Sequence, residues 1–309
     1  MSSFRSKFLY PAKINWFPGH MALARRQMLA QLETVDVLIE LRDARIPWSS
    51  ANPILEAFGQ SKRRLVVFNK SDLANSNMQQ RVEDQCKSEL GSATDCLFTS
   101  VTKRKRLQAI LQWCNQHSQA QFKRTAGTMA MVVGIPNVGK SSLINEFRRL
   151  SKSQQLSKGR KRANVGPTPG VTVRNDIIKV NEKPAVYVVD TPGVMLPNIP
   201  SAETGMKLAL TGAIKDEVVG TELIADYMLY LLNKTNSTRY VDALKLPRPT
   251  DNIGELFTQV YKRCGALGKE RDEQDRLAAE FLLQEFRRGT FGNFTLDVIK
   301  TQPHVLWSS

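Results

Sequence analysis

The octapeptide Gly134-Ile135-Pro136-Asn137-Val138-Gly139-Lys140-Ser141 narrows the choice of fold more than any other stretch of the 309-residue sequence. An apolar run at 129–133 leads into it, and a run with helical period at 140–150 leaves it. That strand–loop–helix context is what a phosphate-binding loop requires. Successive backbone N–H groups of such a loop, with those of the helix start, form a concave nest for an anion. Gly139 lets the backbone close on the phosphates, Lys140 neutralises their charge, and Ser141 offers a hydroxyl to Mg²⁺. Asn137, Val138 and Ser142 complete the expected phosphate contacts.

Two further stretches fit the same chemistry. Asp190-Thr191-Pro192-Gly193 comes directly after the apolar run 185–189. An Asp at a strand end can hold Mg²⁺, and the Gly193 N–H can reach a γ-phosphate. Between the two lies GPTPGVT, 166–172, a Gly/Pro-rich segment suited to a switch loop. Thr172 is the expected metal-ordering residue, with Thr168 as the alternative.

The base reader precedes the phosphate loop. Asn69-Lys70-Ser71-Asp72 ends the apolar run 64–68. Asp72 can accept from both the ring N–H and the exocyclic amine of guanine. Adenine offers neither in that geometry and would leave the carboxylate unpaired. Asn69 fixes the loop, and the Lys70 stem can lie over the purine. Thr99-Ser100, at the end of the next strand, can bring a backbone N–H to the guanine carbonyl. The order is therefore base loop, carbonyl loop, phosphate loop, switch and metal Asp. This is the usual guanine-nucleotide order rotated, and it joins the γ-phosphate-sensing segment directly to the chain beyond residue 193.

Periodicity predicts a basic helix over 21–32 and strands at 35–41, 64–68, 95–100, 129–134, 175–180 and 185–190. Helical patterns fall at 52–58, 78–90 and 107–119. Alternating strands and helices imply an α/β domain, a mostly parallel sheet with helices on both faces. From 201 the texture is helical throughout, over 205–218, 221–234, 252–265 and 272–288. The expected organisation is 1–200 as the nucleotide domain with its basic helix and 201–309 as a small all-α domain.

The net charge of +15 is concentrated. Cys96 to Arg174 holds fifteen Lys and Arg against one acid, Glu146. Such a field attracts a polyanion, RNA or an acidic membrane surface. No apolar run approaches the length of a membrane span. Cys86, Cys96, Cys114 and Cys264 show no zinc or disulfide spacing and are expected to be reduced. The first 32 residues carry Arg5, Lys7, Lys13, Arg25 and Arg26 and no acid, which is compatible with a mitochondrial address.

The motif order, NWFPGHM at 15–21, DARIP at 43–47, NKSD, GIPNVGKSS and DTPGVM together resemble the circularly permuted GTPases of the YlqF/RbgA type. ETGMKLAL, 203–210, and FRRGTFGNFTLD, 286–297, are most similar to the mitochondrial members. The resemblance covers nearly the whole chain. It implies a circularly permuted P-loop GTPase domain followed by a small all-α domain, with GTP hydrolysis coupled to maturation of the large ribosomal subunit. It also implies a helical tail that docks on rRNA and residence on the matrix side of the mitochondrial inner membrane, in peripheral contact with it. DNA is not an expected partner.

Val194, Met195 and Leu196 stand where many GTPases place a water-orienting Gln, and none of them can orient or deprotonate water. The resemblance suggests His20 as the catalytic group; a structural or RNA-contacting His20 is the other reading. Asn137 matches the loop Asn that in related GTPases helps to bind K⁺, beside GTP, GDP and Mg²⁺. The alternative function is a non-catalytic, nucleotide-stabilised RNA- or membrane-binding scaffold. An ATP-using phosphotransferase is a third, which Asp72 disfavours.

Overall fold

The structure is a computed structural model, and it describes residues 4–10, 32–52, 55, 62–91, 94–117, 127–157, 177–182, 185–190 and 199–300. Six strands form one sheet: β1 (Val37–Asp43), β2 (Arg63–Asn69), β3 (Thr94–Phe98), β4 (Thr128–Val133), β5 (Ile177–Glu182) and β6 (Ala185–Asp190). Their spatial order is β3-β2-β1-β4-β6-β5. All neighbours are parallel except β5 and β6, which form an antiparallel edge pair. Helices α1 (Gln79–Leu90), α2 (Leu107–Gln116) and α3 (Lys140–Ser157) connect the strands. The six predicted strands are thus present to within about two residues at each end. All of the predicted helix over 21–32 except Leu32, and most of that over 52–58, lie outside the described residues.

Strands buried on both faces read as continuous apolar runs, and β2 and β4 do so. On one face Leu38, Met131, Val133 and Val189 pack with Leu32, Val35 and Leu55. Further along the same face, Val66, Phe68 and Phe98 pack with Ala44, Val82 and Cys86. The Phe68 and Phe98 rings stack at 4.9 Å. Cys86 and Cys96 form a disulfide, where the spacing predicted reduced thiols; α1 lies on β3 and brings them together. Cys114 is free and buried, and burial pushes its thiol up to about 12.

β1 is the exception to the apolar rule. Glu40 is fully buried and accepts from Arg42 Nε at 2.8 Å, from both Arg64 Nε, at 2.9 Å, and Arg64 Nη2, and from the Asn52 N–H at 3.2 Å. Burial raises the Glu40 pKa, and Arg42 and Arg64 outweigh it, so the carboxyl stays below its ordinary range.

Contacts divide the described chain into two units. The α/β unit includes residues 297–300, and the helical unit takes in 4–10 with 199–296. This differs from a single cut at 200–201, for two local reasons. Arg5 pairs with Asp226 at 2.8 Å and Asp251 at 3.0 Å, and Phe8 packs edge-on against Tyr227. Asp297 accepts from the N–H groups of Trp48 and Ser49, each at 2.8 Å, and from Ser49 Oγ at 2.6 Å.

The helical unit contains α4 (Ala202–Leu210), α5 (Asp216–Val219), α6 (Thr221–Lys234), α7 (Arg239–Leu244), α8 (Ile253–Val260) and α9 (Arg271–Arg288). The predicted run 205–218 is broken. Gly212 takes φ +80° and donates to Ala209, while Ala213 donates to Leu208, a left-handed stop that closes α4. Arg287 donates to the carbonyl of Leu210 and to that of Ala209, which also accepts from Gly212, and pairs with Asp216 at 2.6 Å.

Glu40→Gln should destabilise the α/β unit by about 3 kcal/mol, since it leaves two buried guanidinium groups short of charge. Urea unfolding at neutral pH measures this. The wild-type advantage is in place above the ordinary carboxylate range and should fade as pH falls through the lowered pKa of Glu40.

Candidate nucleotide-binding site

The C-terminal ends of β2 and β4 flank that of β1, so Asn69-Lys70-Ser71-Asp72 and the loop 134–139 emerge on one edge of the sheet. Ligands of open α/β sheets bind at this edge. Asn69 is buried, and its side chain ties three segments together. Its Nδ2 donates to Val138 O at 2.7 Å, and its Oδ1 accepts from Val101 N at 3.1 Å. Its own carbonyl accepts from Ala44 N at 2.8 Å.

The loop 134–139 is packed closely against its neighbours. Gly134 (φ +156°) lies against β1: a Cβ there would meet Leu41 O at 2.4 Å. Gly139 (φ +104°) lies against Asn69, whose Nδ2 would be 2.4 Å from an added Cβ. Asn137 adopts φ +58° and is exposed, while Val138 is buried. Lys140 opens α3, and its Nζ donates to Gly134 O at 3.0 Å and Ile135 O at 2.8 Å. The ammonium thus lies along the loop, against its carbonyls. Ser141 and Ser142 are exposed in the first turn of α3, where N–H groups and the helix dipole favour an anion.

The base loop turns on Lys70, which takes φ +59°. Ser71 N donates to Thr99 O at 3.0 Å, and Leu73 N to Lys70 O at 2.9 Å. Asp72 is half-buried behind this turn. Thr99 and Ser100 are buried beside it. The Thr99 N–H is taken by Phe68 O at 2.9 Å, Thr99 Oγ1 donates to Lys105 O at 2.6 Å, and Ser100 Oγ accepts from Lys103 N at 3.2 Å. The pair therefore shapes the turn 101–106, whose Arg104 pairs with Glu146 of α3 at 3.1 Å.

Asp190 ends β6, parallel to β4, so it reaches the same edge as the phosphate loop. His20, Thr168, Thr172 and Gly193 lie outside the described residues. Two residues here were not among the sequence candidates. Val101 contributes only a backbone N–H, which leaves no mark in the sequence. Asp43 contributes a buried carboxylate, and its one signal in the sequence is the DARIP pentapeptide that it opens. Among the described residues no group of three or more His, Cys, Asp and Glu has the form of a metal site.

Gly139→Ala should displace the Asn69 amide and break its two buried hydrogen bonds, at about 1 kcal/mol each. Titration with GDP should show affinity weakened by roughly tenfold or more.

Comparison with known proteins shows relatives that cover most of the chain. The model of a family described as 50S ribosome-binding GTPase matches residues 129–250. A curated relative from Arabidopsis thaliana, "Short integuments 2, mitochondrial", is 44% identical over 222 residues, 72% of this chain and 57% of its own. "Mitochondrial ribosome-associated GTPase 1" of Xenopus tropicalis is 37% identical over 302 residues, 92% of this chain and 94% of its own. Among solved structures, GNP-bound YlqF from T. maritima shares the fold, with a TM-score of 0.53 at 21% identity, covering 87% of this chain and 95% of that one. With the base loop ahead of the phosphate loop on one sheet edge, the chain belongs to the circularly permuted, ribosome-associated GTPases.

Proposed function

We propose that this chain is a mitochondrial GTPase that binds the large ribosomal subunit and its rRNA during assembly, in a manner set by the bound nucleotide. One observation carries the reading: Asn69 joins the guanine-reading loop to the phosphate loop, so base and phosphates are gripped by one connected element. Relatives named for mitochondria and for the ribosome support the compartment and the partner.

The donor set suits a hard cation. Ser141 supplies a hydroxyl in the first turn of α3, and Asp190 ends the adjacent parallel strand. These two, with Thr172, would hold Mg²⁺, which when bound neutralises phosphate charge. Asn137 would add a carbonyl oxygen for K⁺. Gly193 would meet the γ-phosphate, and His20 would orient the attacking water in place of the missing Gln. The basic stretch 96–174 and the helical unit would grip rRNA. Contact with the inner membrane, on its matrix side, would be peripheral and electrostatic. Among the described residues no helix is long and apolar enough to cross a membrane.

Co-sedimentation with isolated mitochondrial large subunits tests the reading. Binding should be about tenfold tighter with a non-hydrolysable GTP analogue than with GDP, and it should weaken steeply with salt. Equal affinity in the two nucleotide states would sink it. Asp72→Asn should weaken GTP binding by about a hundredfold or more without creating ATP binding, and competition titration measures both.

A further inference from the structure

We propose that Asp43 is a positioning residue for guanine recognition: its buried carboxylate clamps the Lys70 ammonium and sets the base loop before nucleotide arrives. The inference rests on the reading of Asn69–Asp72 as the guanine loop and adds a residue from a different strand.

Asp43 ends β1, and its register partner on β2 is Asn69, the first residue of the loop. Only 2% of Asp43 is exposed. Its Oδ1 accepts from the N–H of Arg45 and from Arg45 Nε, both at 3.0 Å. Its Oδ2 accepts from Arg45 Nη2 at 2.7 Å and stands 2.9 Å from Lys70 Nζ. The Asp43 N–H donates to Ser50 Oγ at 3.0 Å, which anchors the strand end itself. The carboxylate is therefore immobile before Lys70 reaches it. Burial raises its pKa, and Arg45 and then Lys70 lower it further than burial raises it, so the clamp is ionised throughout the neutral range.

Lys70 is held in a conformation that a lysine rarely adopts. Its φ of +59° turns the side chain back toward β1, and the ion pair with Asp43 offsets the cost of that turn. The same turn fixes the next three residues. The Lys70 carbonyl accepts from Leu73, and Ser71 N reaches Thr99 O, which places Asp72 between two fixed points. A lysine stem left free would have to be ordered by the nucleotide each time one binds, at a cost in affinity. Arg45 alone already satisfies both carboxylate oxygens. The second cation is therefore not needed to hold Asp43 in place; Asp43 holds Lys70.

The test is a double-mutant cycle on full-length protein, read by GDP·Mg²⁺ titration with ADP as control. Wild type that fails to prefer GDP over ADP overturns the guanine-loop reading itself. Given that preference, Asp43→Asn should weaken GDP binding about three- to tenfold, the scale of freeing one long side chain. Lys70→Met, which keeps the stem and removes the ammonium, should weaken it by a similar factor. The double variant should bind no worse than Lys70→Met alone. In single-turnover assays Asp43→Asn should raise the GTP concentration for half-maximal rate by the same factor and leave the saturating rate unchanged, because Asp43 acts at the base. Wild-type affinity in Asp43→Asn, or full additivity in the cycle, would overturn the proposal. Should Asp43→Asn fail to fold, Lys70→Met decides, since it leaves the Asp43–Arg45 pair intact: unchanged GDP affinity in that variant overturns the clamp.

Discussion

Without the carboxamide of Asn69, two loops that stand sixty-nine residues apart in the chain would share a sheet edge and little else. Its nitrogen reaches the phosphate loop and its oxygen the turn after β3, so three strand ends move together. The parallel order β3-β2-β1-β4 makes this reach possible, because it sets β2 only one strand from β4. Gly139 then becomes obligatory for a reason beyond its own backbone: the space that a side chain would take is occupied by the amide. The loop 69–72, the loop 134–139 and the turn after β3 are thus coupled mechanically by a single side chain.

Beneath that edge, β1 carries charge where apolar residues would have stabilised more. Buried ion pairs rarely add net stability, since desolvation offsets most of the attraction. Here they are arranged in two groups with different uses. Glu40 with Arg42 and Arg64 is enclosed in the sheet and reaches Asn52 and, through Arg42, Pro47 O at 3.3 Å. Asp43 with Arg45 and Lys70 sits further along the strand, at the rim. The first fixes the path of the loop after β1, and the second extends that order to the base loop. Geometry, more than stability, is what these charges supply.

The inner strands were legible because they are buried on both faces, and uninterrupted runs such as Leu65–Phe68 have few other fates. The phosphate loop was legible because its glycines, Lys140 and the flanking elements constrain one another. What escaped was of two kinds. Helix 205–218 reads as continuous because Thr211 and Gly212 interrupt no apolar spacing; the stop is braced by Arg287, distant in sequence, which donates to the carbonyls of Leu210 and Ala209. Asp43 and Val101 escaped because their roles depend on register, on which strand end lies beside which, and the order of β1 between β2 and β4 is set by the whole sheet. The same holds for the Cys86–Cys96 disulfide, whose spacing of ten residues carries no signature without the packing of α1 on β3.

The clasp at Asp297 has a temporal side. Ile299 packs against the cluster that contains Val66, Phe68 and Phe98, and Lys300 joins α1 through the Gln85 side chain at 2.9 Å and Glu89 at 2.7 Å. Residues 297–300 are synthesised only after the whole of 199–296. A nascent chain can therefore build the sheet and both loops while one piece of the core under the base loop is still missing. The core beneath the loop 69–72 is finished late, once the helical segment has been made, and an incomplete translation product would carry the motifs without the seal beneath them.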